Sequence, residues 1–194
     1  MAKEQRLALL SVYDKTGITS KAEALVDLGF TLLSSGGTAT CLIQAGFETR
    51  SVSDLVGGGP ILGHRVVTLS REIHAGLLAQ DCDIDELEGL GIPWVELVHV
   101  GLYPTALAAQ RPEADWNSIN EMVDIGGPTM LVSASKGGRI VVGTEGGFWQ
   151  TIEWLRRGEP DSVMYRRNLA VTAFGQVARY YQDAADYLGA HIDD

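Results

Sequence analysis

Four short segments carry side chains whose types and spacing could do chemistry. "SVYDKTG" (11–17) sets the Ser11 hydroxyl and the Lys15 ammonium four residues apart, at the end of an apolar run. "SSGGT" (34–38) puts Ser34, Ser35, Gly36, Gly37 and Thr38 between an apolar run and a helical pattern. Hydroxyls, glycine amides and a helix amino terminus together form a cradle for a phosphate, because unpaired N–H groups and the helix dipole both favour an anion there. The spacing is neither the Walker loop nor the dinucleotide fingerprint. Each segment also has a plainer reading. Asp14 or Thr16 caps a helix while Lys15 is solvated, and "SSGGT" is an ordinary strand–helix turn.

The third segment, "LGHRVVTLSREIHAGLL" (62–78), offers Arg65 and Thr68 to a phosphate or base carbonyl, and His74 as a proton carrier near neutral pH. A structural role for His74 is the alternative, and His64, His99 and His191 have no functional context. The fourth, "DIGGPTMLVSASKGG" (124–138), places Asp124 before a Gly-Gly-Pro turn, with the proline suited to a first helical turn, and Lys136 near that helix's end. Asp124 as a cap and Lys136 as a complement to the helix dipole are the competing readings.

The elements that must hold these residues alternate in period. Strands are expected at 6–12, 30–35, 48–55, 94–104 and 139–144. Helices are expected at 20–29, after Gly37 up to Gly46, at 148–158 and from about 161 to 188, with a glycine-rich loop, "VGGGPILGH", between. This alternation predicts an α/β domain with a parallel sheet and helices on both faces, whose strand carboxyl ends gather the ligand site along one edge. We read 1–194 as a single domain with a C-terminal helical appendage at about 161–188.

Composition narrows the function. The 194 residues are 45% hydrophobic, enough for a sizeable core, and no run has the eighteen or so apolar residues that span a bilayer. The amino terminus reads as the approach to a first strand rather than a signal peptide. A net charge of −10 without a basic patch argues against a nucleic-acid binder, yet leaves room for a small anionic ligand. Cys41 and Cys82 make neither a disulfide framework nor a zinc motif, so no metal is expected, Cys41 is assigned to packing, and a reducing cytoplasm is the expected location.

Taken in order, "LLSVYDKTGI", "LLSSGGTA", "RVVTL…IHAGLLA", "LYP", "DIGGPTML…ASK" and "RRNLAVTAFGQVARYYQDAADYL" resemble the IMP cyclohydrolase domain of the bifunctional purine biosynthesis proteins, over nearly the whole chain. The resemblance implies a methylglyoxal synthase-like fold: a three-layer α/β/α domain around a mainly parallel sheet, here without the formyltransferase domain. It implies closure of the purine ring of 5-formamido-imidazole-4-carboxamide ribonucleotide (FAICAR), with loss of water, to give IMP, and no cofactor. By the same carry-over Ser11, Lys15, Ser34, Ser35, Gly36, Gly37 and Thr38 surround the 5′-phosphate, with Thr68 assisting and Arg65 against the nucleotide. Tyr103, Asp124 and Lys136 are the catalytic candidates, and backbone amides of Ile125, Gly126 and Gly127 are oxyanion donors. A homodimer and a separate AICAR formyltransferase are the implied partners.

The chain departs from the family pattern where chemistry is expected. Val67 stands where the family has a lysine implicated in catalysis, Ser70 replaces a histidine, Gly101 an asparagine, and Tyr13 a common serine. The alternatives are therefore a weakened purine-nucleotide-binding paralogue and a methylglyoxal synthase-like lyase acting on a phosphorylated substrate.

Overall fold

A computed structural model describes residues 6–63, 65–109, 111 and 113–192. The approach to the first strand at 1–5 and His64 lie outside the described residues. In chain order the elements are β1 (Leu7–Val12), α1 (Ile18–Asp27), β2 (Thr31–Ser34), α2 (Gly36–Gln44), β3 (Thr49–Ser51) and α3 (Val52–Leu55). There follow α4 (Arg71–Leu78), a 3-10 turn at Asp81–Asp83, α5 (Ile84–Gly89), β4 (Leu97–Gly101), α6 (Thr105–Ala109) and α7 (Trp116–Glu121). The last are α8 (Gly126–Lys136), β5 (Ile140–Val142), α9 (Glu145–Arg156) and α10 (Ser162–Ala190).

The five strands form one sheet in the order β3-β2-β1-β4-β5, with every pairing parallel. Strand β1 alternates its side chains across that sheet. Ala8, Leu10 and Val12 join Ile18, Leu25, Leu42, Phe148 and Trp154 from α1, α2 and α9 on one face. Leu7 and Leu9 join Ile73, Leu77, Met130, Leu131 and Val177 from α4, α8 and α10 on the other. With both faces covered the strands read as continuous apolar runs, which is why they were visible in the sequence. The three-layer α/β/α arrangement matches the expected fold class.

Two strand expectations need correction, and the second half of 62–78 adds a helix. The strand expected at 48–55 is only β3, because Ser51 accepts a hydrogen bond from the Ser53 N–H (3.1 Å) and opens α3. The strand expected at 94–104 shortens to Leu97–Gly101. The second half of 62–78 is helix α4, whose amino end is capped by Ser70, its Oγ accepting from the Ile73 N–H at 3.2 Å. The C-terminal segment is one helix of 29 residues that packs on α8 and β5.

Candidate active site

The chain winds outward from β1 through β2 to β3, then returns to the other side of β1 for β4 and β5. That reversal leaves a crevice beyond the carboxyl ends of β1 and β4, where doubly wound sheets bind ligands. Here it is a cleft of about 630 Å³, lined among others by Ser11, Lys15, Ser35, Gly37, Thr38, Arg65, Thr68, Tyr103, Asp124 and Gly127.

One wall can hold an anion. Ser35 is the extended residue before α2, and its side chain does not cap the helix. The first amides of α2 therefore have neither an intrahelical acceptor nor a side-chain cap. Gly36 begins the helix at φ 49°, a left-handed conformation that suits glycine. Lys15 folds back to donate to the carbonyls of Val12 (2.9 Å) and Tyr13 (2.8 Å). A Cβ on Gly37 would stand 3.8 Å from Lys15 Nζ, so the ammonium lies against the amino end of α2. Ser11 Oγ and Ser35 Oγ are 3.4 Å apart beside it. The capping reading of this segment fails: α1 starts after Gly17 with no side-chain cap, Asp14 accepts from the Thr16 N–H at 2.9 Å in the turn ahead of it, and Lys15 is gathered inward rather than left to solvent.

Two cradle residues turn away. Ser34 is fully buried and donates to the Leu10 carbonyl at 2.6 Å, tying β2 to β1. Thr38 is buried, its Oγ1 donating to the Val12 carbonyl (3.1 Å) and facing the Val12 N–H (3.3 Å). Both fix the cradle's shape rather than present hydroxyls to a ligand.

The opposite wall is the turn into α8. Asp124 is half-buried and accepts from the Gly127 N–H at 2.9 Å, so it does cap the helix. Burial raises its carboxyl above the usual carboxylate range, against the lowering pull of the Gly127, Gly126 and Tyr103 amides. A Cβ on Gly127 would fall 2.5 Å from Asp124 Oδ2, and one on Gly126 would fall 2.6 Å from Thr68 Oγ1. Both glycines are thus required for the carboxylate and Thr68 to approach the helix start. The Asp124 N–H donates to Tyr180 Oη at 2.7 Å, and Tyr181 Oη donates to the Asp124 carbonyl at 3.4 Å, so α10 holds this turn from behind. Burial first of all pushes the Tyr180 phenol up to about 12, which keeps it protonated.

At the mouth, the Tyr103 and Tyr13 rings meet at 4.6 Å, both substantially exposed. Arg65 reaches across to Glu121 in a two-point ion pair, 2.9 Å from Nε to Oε1 and 2.8 Å from Nη2 to Oε2. Val67 lies between, an apolar side chain on the cleft wall.

Two predicted site residues are not brought here. Lys136 is the last residue of α8, ten residues from Gly126, which at about 1.5 Å per residue is about 15 Å away. It is exposed and does not line the cleft. His74 packs α4 on α8, its Nδ1 2.8 Å from Ser133 Oγ, and burial lowers its pKa. His99, in β4, packs its ring against Phe148, is lowered to about 4 by burial, and has its Nδ1 3.1 Å from the Val142 carbonyl. The structure adds Tyr13, Pro60, Gly63 and the turn Asn120–Val123 to the lining. The glycine loop signalled Pro60 and Gly63; the short α7 gave no signal for Asn120.

The chain belongs to the MGS-like domain family, whose model matches residues 17–129. The chain is 40% identical over 192 residues to the bifunctional purine biosynthesis protein PurH of Desulfitobacterium hafniense, covering 96% of this chain and 37% of that one. It is 39% identical over 189 residues to PurH of a Cyanothece species, with 94% and 37% covered. The chain thus spans under two fifths of the length of these relatives. Among solved structures, the crystal structure of ForH matches with a TM-score of 0.77 and 32% identity, covering 95% of this chain and 98% of that one. The resemblance to the purine biosynthesis proteins is therefore shown over nearly the whole sequence. Among the described residues no helix is long and apolar enough to cross a membrane.

Proposed function

We propose that this cleft binds a purine-type ribonucleotide by its 5′-phosphate and closes the ring of FAICAR to IMP. The observation that carries the reading is the pairing of two walls in one cleft: Lys15 with the open start of α2, and Asp124 with the glycine amides of α8. The PurH relatives are named for purine biosynthesis, which supports a nucleotide over other phosphates.

In this mechanism Asp124 accepts a proton from the carboxamide nitrogen as that nitrogen attacks the formyl carbon. Its raised pKa brings it closer to neutrality, where a general base that must later return its proton works best. The positive amino end of α8 stands toward the oxygen that gains charge. That oxygen, now a hydroxyl, leaves as water with the proton of the formamide nitrogen, and the new carbon–nitrogen double bond completes the ring. Tyr103 holds the base edge. Lys136, about 15 Å from the turn, acts only through α8.

A second reading, a nucleotide-binding paralogue with weak turnover, is favoured by one observation. Among the described residues the cations lining the cleft are Lys15 at the phosphate wall and Arg65, which Glu121 neutralises, while Val67 leaves the reactive end without one. The test is conversion of FAICAR by the purified protein, followed by the ultraviolet absorbance of IMP. Sustained turnover supports the cyclohydrolase. Tight IMP binding without turnover, relieved by Val67→Lys, supports the paralogue.

A further inference from the structure

Two tyrosine rings stand side by side at the mouth of the cleft, and ring closure draws on only one of them, Tyr103. Tyr13 directly follows β1 and Tyr103 follows β4; their ring centres are 4.6 Å apart and their planes meet at 47°. Both line the cleft and keep much of their surface open, Tyr13 at 39% and Tyr103 at 42%. Open aromatic surface inside a cleft is area that a ligand can cover.

The Tyr13 backbone is pinned from both sides. Its N–H donates to the Gly101 carbonyl at 2.9 Å, tying the end of β1 to that of β4, and its carbonyl accepts from Lys15 Nζ at 2.8 Å. The same ammonium stands 6.0 Å from the centre of the Tyr13 ring. Tyr103 is tied to the other wall, where its N–H faces the Asp124 carboxyl. The pair thus bridges the Lys15 wall and the Asp124 turn, the stretch that the flat middle of a ligand held at both must cross. Two other lining residues give that flat part no polar contact from a side chain. Val67 has no polar side-chain atom, and Gly101 has little room for a side chain, since a Cβ there would stand 3.2 Å from Val12 Cβ.

We propose that Tyr13 is the stacking residue of the cleft: a planar heteroaromatic base lies with its face on the Tyr13 ring and its edge toward Tyr103, between an anion at Lys15 and the reacting groups at Asp124. Two rings at 47° suit this, because aromatic groups prefer offset-stacked and edge-to-face contacts to a sandwich. Every base has a π-face, so stacking selects for the presence of a base and not for its exocyclic groups. Tyr13 therefore makes the cleft a site for base-bearing ribonucleotides over plain sugar phosphates. The inference rests on the reading of the cleft as a ribonucleotide site, not on the ring closure assigned to it.

Calorimetric titration of the full chain with IMP, AMP and ribose 5-phosphate tests it. The wild type should bind both nucleotides at least tenfold more tightly than ribose 5-phosphate. Tyr13→Leu keeps apolar bulk without the ring, at a position exposed enough to leave the circular dichroism spectrum unchanged. It should weaken IMP and AMP by the same factor, about tenfold, and leave ribose 5-phosphate unaffected. Tyr13→Phe should bind all three as the wild type does. Bound IMP should show hypochromism in its ultraviolet band with the wild type and not with Tyr13→Leu. Equal affinity of the wild type for IMP and ribose 5-phosphate overturns the proposal. So does Tyr13→Leu binding IMP as tightly as the wild type, Tyr13→Phe binding it as weakly as Tyr13→Leu, or a loss confined to one base. Tyr13-dependent binding of IMP without conversion of FAICAR supports stacking and removes ring closure. Conversion that Tyr13→Leu leaves unchanged in kcat and KM removes stacking alone.

Discussion

Charged groups gather at both ends of the sheet and are used in different ways. At the amino ends of β1, β4 and β5, a second cavity of about 710 Å³ is lined by Arg6, Glu96, Arg139, Glu159 and Arg166. Arg6 grips Glu96 at 2.8 and 3.0 Å and reaches Glu159 at 2.6 Å, while Arg166 approaches both carboxylates at 3.5 and 3.6 Å. Arg139 is buried, stacked 3.5 Å above the Trp94 ring and donating to the Ala79 carbonyl, and burial depresses it to about 10. At the carboxyl ends, Lys15 is held by carbonyls and the helix amides point into the cleft. Cations matched by carboxylates stabilise a fold; a cation matched only by dipoles is left with charge to offer an anion. The parallel sheet separates the two uses because its strands all present the same end to the same edge.

Variants that exchange these roles sharpen the comparison. The largest effect is expected at the cleft: Asp124→Asn should slow ring closure roughly 100-fold or more, measured from initial rates, as loss of an acid–base group does. The same substitution should not weaken the fold. A buried carboxyl with a raised pKa favours folding most at pH values below the unfolded pKa, and that advantage is lost as pH rises through the raised value. Asparagine removes the loss, so thermal melts should show the variant gaining on the wild type between acid and neutral pH. Next, at the opposite end, Glu96→Ala leaves Arg6 and Arg166 without their shared acceptor. It should cost about 2–3 kcal/mol, a drop in melting temperature of roughly 5–10 °C, with IMP affinity unchanged. The smallest is Lys15→Ala, which should weaken IMP binding about tenfold by calorimetry without moving the melting temperature. If Lys15→Ala lowered stability as much as Glu96→Ala does, the division between the two ends would fail.

The sequence made the layered fold legible because apolar strands buried on both faces differ sharply from amphipathic helices. It made the Lys15 wall legible because Ser11, Lys15 and "SSGGT" lie within a few residues of their own strand ends. The Asp124 wall was only half legible. Asp124 and its glycines could be read locally, but Tyr180 and Tyr181 reach the turn from 56 and 57 residues further along, and no local pattern carries that. Lys136 was drawn into the site by motif, whereas helical rise sends it to the other end of α8. Helix α4 was announced by Ser70 followed by Glu72, a capping signal overshadowed by the chemistry of Arg65 and His74.

The same long reach has a consequence in time. The Asp124 amide acquires its partner only when residue 180 is available, 56 residues after it. At a synthesis rate of roughly 5–20 residues per second, the turn into α8 waits about 3–11 s beyond its own emergence. During that interval Met130, Leu131 and Val141 lack the Ala173 and Val177 that later cover them. A nascent chain therefore holds the Lys15 wall before the Asp124 one, and α10 is the piece whose arrival both seals the core and completes the cleft.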